Sequence, residues 1–180
     1  MKKTKQQISE ILLSAEFQNM LQDIKDSQKE ILETIKNLSK DVGGIANSNG
    51  EFAEDYFENA FKTEPVFAGQ QFSVMQKNLC VADPGIKRKD EFDIVLYNTN
   101  TIAIIEIKYK ARESHINSVI KKADAFRFWF PRYKNYKIYL GLACLSIEEK
   151  VIEKAAAKGV SIIRQCGGKI IVGGENLKTY

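Results

Sequence analysis

Histidine occurs once and cysteine three times in 180 residues, and these shortages narrow the chemistry first. Cys80, Cys144 and Cys166 are far apart and form no CxxC pair, and His115 has no second imidazole to work with. A zinc finger, a structural zinc site and a Ser-His-Asp triad therefore find no support. The thiols read as core residues of a reducing compartment, and His115 as a helix-surface residue rather than a base. No apolar run approaches the ~18 residues of a membrane span. MKKTKQQISE starts basic with no apolar stretch after it, so no secretory signal and a cytoplasmic location are expected.

Charge of one sign is also scarce overall, the net being +4. Its distribution says more. Residues 1–49 carry 7 Lys/Arg against 7 Asp/Glu, whereas 85–137 carry 12 against 6. That local excess suits a polyanionic partner, although a run of charge is also an ordinary solvated face.

Apolar residues make up 44% of the chain, enough for one core plus an appendage. From Ser14 to Ile45 a heptad can be written with Ser14, Leu21, Gln28, Ile35 and Val42 at a, and Phe17, Ile24, Ile31, Leu38 and Ile45 at d. This predicts a long helix with a coiled-coil seam, extended with a register shift by Ile8, Ile11, Leu12 and Ala15. The stripe must be covered, either by another copy of the chain or by folding back onto its own domain. Gly43-Gly44 and Asn47-Ser-Asn-Gly50 predict a break, dividing the chain into 1–46 and 47–180.

After the break, Glu51 to Phe61 reads as a short helix with Phe52, Ala53, Tyr56, Phe57, Ala60 and Phe61 inward. On a helical wheel Glu54 falls about 20° beyond Phe61, bordering that face, while Glu51, Asp55 and Glu58 turn further toward solvent. Val66 to Gln76 reads as a strand. Strands over Tyr136 to Leu145, Val160 to Arg164 and Lys169 to Val172, with helices over Glu113 to Phe130 and Ile147 to Lys158, argue a mixed sheet with right-handed crossovers.

The informative stretch is DIVLYNTNTIAIIEIK, Asp93 to Lys108. Two apolar runs around Asn98, Thr99, Asn100 and Thr101 predict a β-hairpin. If Thr99-Asn100 is the turn, Tyr97 faces Ile102, Val95 faces Ile104 and Asp93 faces Glu106, with Lys108 diagonal to Asp93 on the same face. Facing carboxylates within Ile and Val runs are destabilising unless one is protonated or a cation lies between them. Mg²⁺ or Mn²⁺ would resolve the conflict, and Lys108 could orient or activate water or neutralise a phosphate. The plainer alternative is a strand-end Asp93 beside an ordinary Glu106–Lys108 ion pair.

Asp93 followed twelve residues later by Glu106-Ile107-Lys108 resembles the PD-(D/E)xK phosphodiesterase superfamily, with Phe92 in place of the usual Pro. The resemblance covers residues 50–172 and implies a restriction-endonuclease-like αβββαβ core in an α/β fold, preceded here by the coiled-coil helix. It implies a magnesium-dependent endonuclease acting on DNA, with Asp93, Glu106 and the Ile107 carbonyl holding the metal and Lys108 serving the attacking water. The helix before the sheet often adds a Glu in that superfamily, and Glu54 matches, with Glu51 as fallback. Some members have lost catalysis, so a silent module that binds nucleic acid or protein and oligomerises through its arm is the alternative. Lys110, Arg112, Lys121 and Lys122 follow the motif directly and are candidate phosphate contacts. Lys87, Arg88 and Lys89 either join them or keep a loop soluble. In FRFWFPRYKNYK, Phe126, Trp129 and Phe130 read as core more readily than as a stacking surface.

Overall fold

The computed structural model describes residues 15–173 and 177–180. Met1 to Ser14, including Ile8, Ile11, Leu12 and the heptad's first position, lie outside the described residues. The chain divides into two units, 1–47 and 48–180.

The described part of the first unit is helical and belongs to α1, Ala15–Thr63. The break expected over residues 43–50 is absent, because α1 continues through Gly43, Gly44 and Gly50. Each glycine costs about 1 kcal/mol in a helix, but no proline removes a donor, and propagation from helical turns on both sides tolerates that cost. Of the predicted seam, Ile24, Ile31, Ile35, Leu38, Val42 and Ile45 are exposed.

The second unit is a mixed α/β layer. Two short strands, β1 (Val66–Phe67) and β2 (Gln70–Gln71), pair as a small ribbon. They stand where one strand over 66–76 was expected. Ala68 and Gly69 take φ 53° and 70°, and that left-handed turn folds the segment back on itself. The main sheet has six strands in the order β3-β4-β5-β6-β7-β8. They are β3 Val74–Asp83, β4 Arg88–Tyr97, β5 Thr101–Lys110, β6 Lys137–Ser146, β7 Ser161–Cys166 and β8 Lys169–Gly173. β5, β6 and β7 run parallel, and the other pairings are antiparallel. Helices α2 (Glu113–Trp129) and α3 (Glu149–Ala157) supply the two parallel crossovers.

Both sheet faces are covered, so the central strands are apolar on each side. On one face Ile116, Val119, Ala123 and Phe126 of α2 pack against Val95, Ile102, Ile104 and Leu140. On the other, Ala53, Phe57 and Phe61 of α1 pack with Phe67 against Ile94, Leu96, Ala103 and Ile105. Gly141 fits there for lack of a side chain, since a Cβ would lie 3.1 Å from the Phe67 ring.

Two α1 residues depart from the expected wheel. Phe52 is 59% exposed, because the inward stripe is Ala53, Phe57 and Phe61 at spacing four. Glu58, expected outward, is buried beside Phe57. Its carboxylate pairs with Lys77 Nζ at 2.8 Å and with Lys62 Nζ at 3.7 Å, which compensates that burial.

Candidate metal and active site

The β4–β5 hairpin closes through Asn98 N–H to Thr101 O at 2.9 Å. Its register is the one the turn implied, with Tyr97 opposite Ile102, Val95 opposite Ile104 and Ile94 opposite Ile105. Pairing then stops. The backbone ladder does not continue to Asp93 and Glu106; instead Asp93 Oδ2 accepts the Ile107 N–H at 2.7 Å. On the other side of β4, the β3 ladder skips Asn78 and Asp93, and Asn78 sits at φ 48°. The local kink turns Phe92 onto the α2 face, where its ring meets Phe126 edge-on at 5.6 Å. Residues 88–92 keep β3 as their ladder partner. The strands splay where two acids would otherwise meet head-on.

Within that splay the acids are largely buried, with side chains 15% (Asp93) and 9% (Glu106) exposed. Glu106 Oε1 pairs with Lys108 Nζ at 2.8 Å. Glu106 Oε2 is buried and has no partner of proper hydrogen-bond geometry, but the Lys122 ammonium abuts it as an ion pair. Lys122 Nζ also donates to Glu91 O at 2.6 Å and lies 3.9 Å from Asp93 Oδ1.

Burial, then the nearby Glu106 charge, pushes the Asp93 carboxyl up to about 6. Burial pushes Glu106 the same way, but Lys122 and Lys108 outweigh it and hold Glu106 below the ordinary carboxylate range. Desolvation would lower Lys108, yet its bond to Glu106 and the charges of Glu106, Asp93 and Glu54 raise it above its usual value. Lys108 therefore keeps its positive charge beside Glu106.

Glu54 is half-buried on α1, and its charge reaches Lys108. Glu51 is exposed. Among the described residues no three His, Cys, Asp or Glu side chains gather as metal ligands. The donors brought together are Asp93 and Glu106, with Ile107 at the same point of the splay. A hard divalent ion that keeps several waters needs one or two carboxylates, and Glu106 Oε2, buried beside a cation, is the kind of oxygen it takes. The residues fit Mg²⁺ or Mn²⁺.

The basic candidates separate. Lys87, Lys89, Lys110, Arg112 and Lys121 are exposed. Lys110 and Arg112 line a depression of about 420 Å³ with Lys150, Glu113 and Glu148. Arg88 is engaged: its Nε donates to Asp90 Oδ2 at 2.6 Å, and its guanidinium lies 4.2 Å from the Phe128 ring centroid. Trp129 Nε1 donates to the same Asp90 oxygen at 2.7 Å. Phe126 is core, while Phe128 is half-exposed. Arg127 donates to the carbonyls of Lys134, Tyr136 and Tyr180 and so ties down backbone. His115 is half-buried, and its Nδ1 accepts the Arg112 N–H at 3.2 Å, one bond at the start of α2.

Lys122, grouped by sequence with Lys121 as a candidate phosphate contact, instead lies among the acids. The signal was its helical position. Lys122 adjoins the buried stripe Val119, Ala123 and Phe126, so its stem runs along apolar surface while the ammonium reaches past it; Lys121 points to solvent.

No protein-family model and no curated protein matches the chain. One similar solved structure is the crystal structure of a repair endonuclease from Pyrococcus abyssi, at 13% identity and a TM-score of 0.47. The match covers 62% of this chain and 46% of that one, so the chain spans less than half the length of that structure. A likeness this distant leaves the site's own geometry to carry the reading.

Proposed function

We propose that the 48–180 unit is a restriction-endonuclease-like α/β domain of the PD-(D/E)xK type that hydrolyses DNA phosphodiester bonds with Mg²⁺ or Mn²⁺. The observation that carries this is the buried Asp93–Glu106 pair at the splayed end of β4 and β5, with Lys108 hydrogen-bonded to Glu106. An ordinary surface ion pair needs no second buried carboxylate.

Asp93, Glu106 and the Ile107 carbonyl hold the metal. Bound there, it supplies positive charge to the phosphoryl oxygens and acidity to a coordinated water. The Asp93–Ile107 bond fixes the first carboxylate on the second strand, so the two acids keep their spacing. Lys108, kept charged by Glu106, donates to the attacking water or a phosphate oxygen. The Glu54 charge adds to those of Glu106 and Asp93 in favouring the charged form of Lys108. The exposed Lys87, Lys89, Lys110, Arg112 and Lys121 contact the polyanion through phosphates, which gives affinity without sequence preference. The arm joins copies of the chain through its apolar seam.

The test is cleavage of plasmid, single-stranded and branched DNA with Mg²⁺, with Mn²⁺ and with EDTA, alongside Glu106→Ala. Cleavage that needs the ion and vanishes in the variant is expected; cleavage in EDTA, or by the variant, would overturn the assignment.

A second reading has its own support. With no third ligating side chain among the described residues and an ammonium already against the acids, the site suits a silent module that binds nucleic acid or protein. Calorimetry with Mn²⁺ on the wild type and Asp93→Ala separates the two, since a silent module gives no difference.

A further inference from the structure

Hydrolysis by two acids and Lys108 does not call for another ammonium between the carboxylates, and Lys122 supplies one. Its side chain leaves α2, passes the Phe92 ring with Nζ 5.7 Å from the centroid, and is 19% exposed. The ammonium ends on three oxygens: Glu91 O at 2.6 Å, Glu106 Oε2 in contact, and Asp93 Oδ1 at 3.9 Å. Two of these belong to the carboxylates assigned to the metal.

We propose that Lys122 is a tethered counter-cation: its ammonium fills the acidic pair of the metal-free protein, and a divalent ion loads by exchanging with it. The proposal rests on the metal-dependent reading above and says what regulates that site. Two buried carboxylates without a cation are costly, so the metal-free protein needs one. A second cation added at contact distance would be strongly repelled, so the ammonium and the metal exclude each other. The exchange is feasible because α2 need not move. The four-carbon stem of a lysine has enough rotatable bonds to carry its head to solvent, where the adjoining Lys121 is already exposed. Lys108 is different, since it bonds Glu106 through Oε1 and is half-exposed, and it remains in place. Lys122 is thus a positioning residue, and metal affinity is the property it sets.

The experiment uses the full chain as wild type, Lys122→Met, Lys122→Gln, Glu106→Gln and Lys122→Met/Glu106→Gln. Mn²⁺ affinity is measured by calorimetry and the thermal midpoint in EDTA by circular dichroism. Lys122→Met is expected to bind Mn²⁺ on the order of tenfold more tightly than wild type, because no buried pair must be broken first. In EDTA it is expected to melt lower, with part of the loss recovered when Glu106→Gln removes one uncompensated charge. Lys122→Gln keeps a donor for Glu91 O and serves if Lys122→Met folds poorly; the same gain in affinity is expected of it. If Glu106→Gln abolishes Mn²⁺ binding while both Lys122 variants bind no more tightly than wild type, the counter-cation is overturned and the metal site stands. If neither the wild type nor the Lys122 variants bind Mn²⁺, both fall.

Discussion

Asp93 Oδ2 accepts the Ile107 backbone N–H at 2.7 Å at the place where β4 and β5 cease to pair. The side chain takes the position a strand carbonyl would otherwise fill, so one carboxylate both pins the splayed strand and faces Glu106. These roles conflict, because the bond favours the ionised acid and the neighbouring charge disfavours it.

The conflict predicts a pH dependence. Asp93 has its folded pKa raised from 3.8 to about 6, first by burial and then by Glu106. A raised acid binds its proton more tightly when folded, so its contribution to stability is present below the unfolded pKa and is lost as pH rises through about 6. Asp93→Asn keeps an acceptor for Ile107 and cannot ionise. In EDTA, its stability relative to wild type should improve by ~2–3 kcal/mol between pH ~4 and pH ~7, then level off. Glu106 is held below the ordinary carboxylate range by Lys122 and Lys108 against its burial, so it stays ionised over this interval in both folded proteins and the difference reads Asp93. Urea melts at half-unit pH steps check this, and a difference that stays flat would contradict the raised Asp93.

Lys108 makes a separate prediction. Its folded pKa lies above the usual lysine value, because its bond to Glu106 and the nearby acids outweigh burial, so it stays charged throughout the neutral range. Lys108→Ala should lower metal-dependent cleavage by about 10²–10⁴-fold and leave Mn²⁺ affinity within a few-fold. Single-turnover rates with saturating metal decide it; a weakened Mn²⁺ site with unchanged chemistry once saturated would give Lys108 a purely structural role.

How far the site was legible in the sequence follows from which forces are local. The hairpin register came from turn residues and period-two alternation, and the observed pairs Tyr97–Ile102 and Val95–Ile104 obey it. The splay did not, because it depends on repulsion between acids and on Asn78 in β3, which the hairpin sequence does not contain. Following the motif in sequence says nothing of where Lys122 ends, because its neighbours in space come from β4 and β5. Gly43-Gly44 suggested a break from composition alone, and the helix on both sides outweighed it. Glu58 was turned outward on the wheel because nothing in α1 announces Lys77.

That Glu58–Lys77 pair gives a stability prediction apart from the site. Glu58 is 4% exposed and Lys77 is at the sheet surface, 2.8 Å away. Removing the cation leaves a buried carboxylate with Lys62, 3.7 Å away, as its ion-pair partner. Because the Lys77 side chain is half-exposed and screened by water, the loss for Lys77→Met should be small, and Lys77→Met/Glu58→Gln should recover part of it. A denaturant-melt cycle over the four proteins measures the coupling; single losses that simply add would show that the two residues do not interact.

The last prediction concerns the arm, treated by itself. Ile24, Ile31, Ile35, Leu38, Val42 and Ile45 occupy a and d positions and are each more than half exposed. Most of the arm's charges, among them Asp23, Asp26, Lys29, Glu30, Glu33, Lys36 and Lys40, fall at b, c and f, away from that seam. A lone helix gains little from such a stripe, whereas a second copy would bury it from both sides and leave the charges in water. Ile31→Glu/Leu38→Glu puts two carboxylates into the seam and changes no residue of the 48–180 unit. Sedimentation equilibrium should find wild type as an oligomer, most simply a dimer, and the double variant as a monomer with reduced helicity. A monomeric wild type would instead assign the stripe to intramolecular docking. A variant of unchanged mass would move the contact elsewhere in the chain.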